Sequence, residues 1–158
     1  MAPVEATTPG DQQIPDDQTP DEPTLYDRAG GMAFFEQLVD AFYEGVAGDA
    51  VLAPLYPEYP DFSGARRRLT LFLAQYWGGP TTYLEERGHP RLRMRHFPYH
   101  IGPVERDRWL QHMAAAVERV CTDPEITAEL MRYFVPAAEH LRNDTGLPIT
   151  SASYPRTS

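Results

Sequence analysis

The sequence contains no lysine, and all 14 of its basic residues are arginine. It contains a single cysteine, Cys121, so no disulfide can form within the chain, and we expect a reducing, cytoplasmic setting. No apolar run approaches the ~20 residues that a membrane-spanning helix needs. Residues 1–23 lack both a basic start and an apolar core, so we expect no secretory signal.

Basic residues are also absent from the N-terminal end, where acidic residues collect. The formal net charge of the chain is −9. Residues 1–23 contain six acidic residues and no basic one, which gives −6 and leaves −3 for the remainder. A nucleic-acid partner requires a basic face, so we expect no such partner.

The acidic N-terminal segment has little to bury. It contains five prolines, and Val4 and Ile14 are its main apolar side chains. This composition predicts a disordered, acidic, proline-rich extension over residues 1–23. The polar, turn-rich stretch 143–158 predicts a flexible C-terminal tail. We therefore expect one folded domain over residues 24–142.

Apolar residues in the central part of the chain recur at three- and four-residue steps, and no segment alternates as a strand would. The spacing predicts helices over residues 32–47 and 49–55. It predicts three more helices, one capped by Ser63, one that begins after Pro103 and one that begins at Asp123. Residues 81–90 are predicted to be irregular. Pro136 predicts a kink or an interruption in the last helix. The expected fold class is all-α.

One histidine ends an arginine-rich turn with apolar spacing. His96 closes the segment 88–96, with Leu92 one helical turn before it and Arg93 and Arg95 in the same turn. An imidazole can bind a metal through one nitrogen while a neighbour fixes the other. No two of the other four histidines have the four-residue spacing of a helical zinc site, but one histidine is enough where a porphyrin supplies four further ligands. The alternative is a surface histidine that contacts only water.

Three aromatic residues with a polar tip occupy helix positions that should face inward, namely Tyr43, Tyr56 and Trp109. They are either donors in a pocket or core aromatics whose polar tips reach backbone carbonyls. Arg68 follows two other arginines and precedes Leu69, so it lies either at a pocket mouth or on a solvated face. Cys121 is expected to be a core residue rather than a reactive thiol.

Several segments resemble the group II truncated haemoglobins of actinobacteria, and the resemblance covers about residues 24–142. The matching segments are FLAQYWGGP (72–80) with Tyr83, RGHPRLRMRH (87–96), LYD (25–27) with the glycine pair 30–31, FY (42–43), LYPE (55–58) and ERDRWL (105–110). The resemblance implies a truncated globin fold, a two-over-two helical sandwich around one haem b.

The resemblance also implies roles for individual residues. His96 is expected to be the proximal iron ligand, with three aromatic side chains on the distal side as ligand-stabilising donors. Propionate partners and further haem contacts are expected elsewhere around the pocket. The distal donors are Tyr43, Tyr56 and Trp109; the propionate partners are Arg68, Tyr83 and one or both of Arg93 and Arg95; the other contacts are Ala65, Leu69, Met94 and Ile101.

The function that the resemblance implies is reversible binding of O2, and of CO and NO, with high affinity and slow release. The alternative is a haem enzyme that removes nitric oxide or peroxide with a separate reductase, since no nucleotide-binding motif is present. A third possibility is a helical interaction module without haem, against which the intact His96 argues. Family members often form homodimers, so we expect an oligomer.

Overall fold

The computed structural model describes residues 22–143, which form seven α-helices and one 3-10 turn and contain no strand. The all-α class is therefore confirmed. The predictions for residues 1–21 and 144–158 lie outside the described residues. The helices are α1 (Leu25–Ala29), α2 (Met32–Ala47), α3 (Ser63–Tyr76), α4 (Thr82–Arg87), α5 (Leu92–His96), α6 (Pro103–Val120) and α7 (Pro124–His140), and the 3-10 turn is Ala53–Leu55.

Four long helices make the body of the domain. Helix α2 packs on α3 and on α6, and α6 packs on α7. Each helix turns an apolar stripe inward, and the core contains fully buried residues from α2, α6 and α7, such as Phe42, Met113 and Phe134. Burial of such large side chains contributes roughly 1.5–3 kcal/mol each. Within residues 22–143, no helix has both the length and the apolar character to cross a bilayer.

The ends of the long helices follow from local sequence. Helix α2 covers the predicted residues 32–47 and begins after Gly31, whose φ of 78° is in the left-handed region that favours glycine. Helix α7 begins where predicted, because the Asp123 carboxylate accepts hydrogen bonds from the amides of Glu125 and Ile126. Helix α6 begins at Pro103, with the Glu105 carboxylate accepting from the Gly102 amide at 2.9 Å.

Three local predictions were wrong. Residues 82–87 form α4 rather than an irregular stretch, because the Gln75 side chain accepts from the Leu84 amide and Tyr83 is buried against α3. The predicted helix 49–55 is reduced to the 3-10 turn Ala53–Leu55. Ser63 is the first residue of α3 instead of its cap, and its amide donates to Asp61.

Pro136 does not interrupt the last helix. Helix α7 continues through it to His140, and Pro136 is exposed. A proline within a helix removes one backbone hydrogen bond, but an exposed ring leaves the buried stripe of α7 in place. The buried positions of α7 on either side of it, Phe134 and Ala138, stay on one face.

Candidate functional site

A largely apolar cavity of about 210 Å³ lies among α3, α5, α6 and α7. Its walls come from all four helices and from the segment that carries Tyr56. Among its apolar lining residues are Leu69, Phe72, Leu92, Ile101, Phe134 and Ala138. A concave apolar site with few polar groups is the usual form of a cofactor pocket.

The short helix α5 places His96 in the wall of this cavity. The His96 Nδ1 lies 2.7 Å from the carbonyl oxygen of Leu92, one turn earlier. A carbonyl only accepts, so Nδ1 carries the proton and Nε2 keeps its lone pair. Burial lowers the pKa of His96, the bond to Leu92 raises it, and Arg95 lowers it. The site therefore holds a neutral imidazole, the form that binds a metal.

Side chains hold α5 at both ends. The Arg95 guanidinium donates to the carbonyl of Pro90 at 2.6 Å and to those of Arg87 and His89 at 3.0 and 3.2 Å. Beyond the helix, the Asn143 amide donates to the carbonyl of Tyr99 at 2.7 Å. A five-residue helix has little stability of its own, so these bonds fix the position of the imidazole.

Tyr43, Tyr56 and Trp109 line the same cavity. The rings of Tyr43 and Tyr56 meet edge to face, with 5.5 Å between their centroids. Both Tyr43 and Trp109 lower the pKa of Tyr56, so their polar groups lie near its hydroxyl. An indole N–H can only donate, whereas a phenol hydroxyl can donate or accept. The three side chains thus bring three donors to one cavity.

Burial dominates the acidity of the two phenols. It raises the pKa of Tyr43 well above its usual range, and it raises the pKa of Tyr56 to about 12 against the lowering effect of Tyr43 and Trp109. Both hydroxyls therefore carry their protons at neutral pH. A protonated hydroxyl can donate a hydrogen bond to a ligand in the cavity.

The remaining residues predicted for the site divide into two groups. Leu69 and Ile101 line the cavity together with His96 and the three aromatic donors. Ala65 and Tyr83 are buried in the core outside the lining, and Tyr83 packs edge-on against Phe72.

The four predicted residues that carry long flexible side chains also lie outside the lining. Arg68 pairs with Glu58 at 3.4 Å, and Arg93 donates to the carbonyls of His140 and Arg142 at the end of α7. Arg95 binds the loop before α5. Met94 is 61% exposed. Their roles as haem contacts stay predictions.

The sequence did not single out Glu105 and Arg106, yet both line the cavity. Arg106 donates to Asp107 at 2.6 Å and to Glu139 of α7. The available signal was the four-residue step from Glu105 to Trp109, which places the two on one face of α6. Among residues 22–143, no three histidine, cysteine or acidic side chains are grouped so that they could hold a metal ion. A metal here would depend on His96 and on ligands that the protein does not supply.

Comparison with known proteins gives consistent matches. The family model for the bacterial-like globin matches residues 24–143. A thermostable haemoglobin structure from Thermobifida fusca is 56% identical, with a TM-score of 0.74 over 76% of this chain and 97% of that one. The group 2 truncated hemoglobin YjbI of Bacillus subtilis is 41% identical over 115 residues, 73% of this chain and 86% of the relative.

A third match is the crystal structure of a truncated oxygen-avid haemoglobin from Bacillus subtilis, 39% identical with a TM-score of 0.71. The matched region covers 76% of this chain and 99% of the Bacillus subtilis chain. The four long helices described above are thus arranged as in the truncated, two-on-two fold, as predicted. The described residues account for nearly the whole length of these neighbours.

Proposed function

The chain belongs to the bacterial-like globin family, whose members bind haem b and diatomic gases, and on that premise we propose that it binds O2 reversibly and releases it slowly. CO and NO are further ligands of the same site. The observation that carries the proposal is that Tyr43, Tyr56 and Trp109 line the cavity that contains His96.

The residues of the cavity fit a haem. They offer one neutral imidazole, apolar walls and no competing set of metal ligands among residues 22–143. His96 would hold the iron through Nε2, and Leu69, Leu92 and Ile101 would contact the macrocycle. Bound haem would supply the iron that binds a diatomic gas.

The three aromatic donors determine how long a gas molecule stays. Each of them lines the cavity and carries an O–H or N–H group that can donate to a ligand there. A hydrogen bond to a ligand with partial negative charge is worth roughly 1.5–3 kcal/mol. That free energy corresponds to about a tenfold to hundredfold slower release.

Other contacts are proposed from the family resemblance. Arg68, Tyr83, Arg93 and Arg95 are proposed propionate partners, and Ala65 and Met94 are proposed haem contacts. The Bacillus subtilis relative is described as oxygen-avid, which supports tight O2 binding for this chain as well. A homodimer and, for an enzymatic role, a separate reductase are proposals of the same kind.

Replacement of Trp109 by phenylalanine tests the proposed function. It removes from the cavity wall an indole N–H that can donate to the ligand, so O2 should dissociate about tenfold faster in a stopped-flow measurement. The control is Trp77→Phe, since Trp77 is buried outside the cavity and its indole lines no part of it. An unchanged rate in Trp109→Phe would end this account of ligand retention.

The same samples separate the binder from the enzymatic alternative. A binder reacts once with peroxide or nitric oxide per loaded haem and then stops. Sustained turnover with a supplied electron donor would instead favour the detoxifying enzyme.

A further inference from the structure

Asp49 is the one buried carboxylate among residues 22–143, with a side chain only 3% exposed. It lies just after α2, at the start of the segment that leads to Tyr56. Its Oδ1 accepts hydrogen bonds from the amides of Val51 and Leu52 at 2.8 and 3.1 Å. These bonds shape the chain between α2 and the 3-10 turn.

The same carboxylate binds α6. The His112 Nε2 lies 2.8 Å from the Asp49 Oδ2, and the Arg108 guanidinium lies 3.3 Å from both carboxylate oxygens. Arg108 directly precedes Trp109, and His112 follows it by one helical turn. The two contacts thus bind α6 to Asp49 at positions on both sides of Trp109.

Asp49 stays charged in this setting. Burial raises its pKa, but the hydrogen bonds from His112, from the amides of Val51 and Leu52 and from Arg108 outweigh burial and lower the pKa to about 2. A charge that is both buried and fully hydrogen-bonded permits little freedom to the groups that bind it.

The His112 imidazole packs closely against the backbone of α2 at Gly45. A Cβ at Gly45 of α2 would lie 2.5 Å from the His112 Nδ1, so the imidazole lies directly on the bare backbone of α2. A side chain at residue 45 would push the imidazole away from Asp49. The close approach of α2 and α6 at this point therefore depends on glycine.

We propose that Asp49 is a positioning residue for gas retention, which holds the segment of Tyr56 and the helix of Trp109 in the register that keeps both side chains in the wall of one cavity. This inference rests on the proposed function of the site. It assigns to Asp49, Arg108 and His112, none of which lines the cavity, an effect on the ligand that acts through Tyr56 and Trp109.

The test is a double-mutant cycle on the haem-loaded protein. Asp49→Asn keeps an oxygen for the amides of Val51 and Leu52, but it turns an amide donor toward the His112 and Arg108 donors. We expect O2 to dissociate about fivefold faster, the effect of roughly 1 kcal/mol of lost hydrogen bonding. In the Trp109→Phe background, Asp49→Asn should have little further effect on the rate, since the indole donor that Asp49 positions is already gone.

A spectroscopic readout separates alignment from general loosening. The stretching frequency of bound CO reports the donors that face the ligand, and it should shift in Asp49→Asn. The matched control is Glu44→Gln, which removes the exposed ion pair between Glu44 and Arg119 across the same two helices. Glu44→Gln should change neither the frequency nor the rate.

A second pair of variants keeps the test decisive if Asp49→Asn folds poorly. His112→Phe keeps the ring against Gly45 but loses the donor, so O2 should leave faster. His112→Gln supplies an amide donor and should restore much of the slow release. Equal rates in wild type, Asp49→Asn and His112→Phe, or additive effects with Trp109→Phe, would overturn the inference while the proposed function stands. An unchanged rate in Trp109→Phe alone would instead overturn the proposed function.

Discussion

Tyr56→Phe should release O2 about a hundredfold faster than the unmodified chain, the largest effect expected of any single donor. The hydroxyl of Tyr56 is the polar group that both Tyr43 and Trp109 lie near, and Tyr56 lines the cavity that contains His96. Its removal takes away the donor at the centre of this group. The upper end of the range for a charge-assisted bond, roughly 3 kcal/mol, corresponds to about this factor.

The matched comparison is Tyr43→Phe. Tyr43 is 4% exposed and packs edge to face on Tyr56, with 5.5 Å between the ring centroids, so we expect it to act on the ligand mainly by supporting that residue. Its replacement should accelerate release by less than about tenfold. The measurement is O2 displacement by CO in a stopped-flow instrument, with both variants at equal haem loading. A larger effect for Tyr43→Phe than for Tyr56→Phe would show that the donor has been assigned to the wrong tyrosine.

His96→Gly should abolish stable haem retention. The neutral imidazole of His96 offers the one nitrogen of the cavity wall that suits the iron. Loss of a residue that only hydrogen-bonds to a metal ligand already costs about 10–100-fold in metal affinity. Loss of the ligand itself should exceed that. The measurement is the rate of haem transfer to an acceptor protein, in the presence and absence of added imidazole.

Imidazole should restore retention in His96→Gly, because the small molecule can occupy the space of the missing ring. His89→Gly is the control, since His89 is an exposed loop residue outside the cavity. Haem that stays bound to His96→Gly without imidazole would show that another group holds the iron.

Much of this site could be predicted from the sequence because its signals are local or belong to the family. The apolar spacing of α2 predicts its bounds, and the turn 92–96 places His96 one helical turn after Leu92 and directly after Arg95. The aromatic donors were predicted from family segments, and the structure brings them to one cavity with His96.

The parts that the sequence did not predict depend on contacts between distant residues. Asp49 meets His112 across 63 positions and Arg108 across 59, so no window of sequence shows the pairing. Arg95 was predicted to bind a propionate, and it donates to three backbone carbonyls of the preceding loop. These carbonyls come within reach of Arg95 only because of the backbone path of that loop, which the sequence pattern does not show. Helix α4 is too short for apolar periodicity and depends on Gln75 and on the burial of Tyr83.

The most direct test of the account is a titration of the haem-free full chain with haemin, followed by the Soret absorption. We predict saturation at one haem per chain, with a spectrum that changes on addition of CO after reduction. A chain that stays colourless with excess haemin, or one that takes up haem without regard to residue 96, would contradict the central claim that the His96 imidazole binds iron in this cavity.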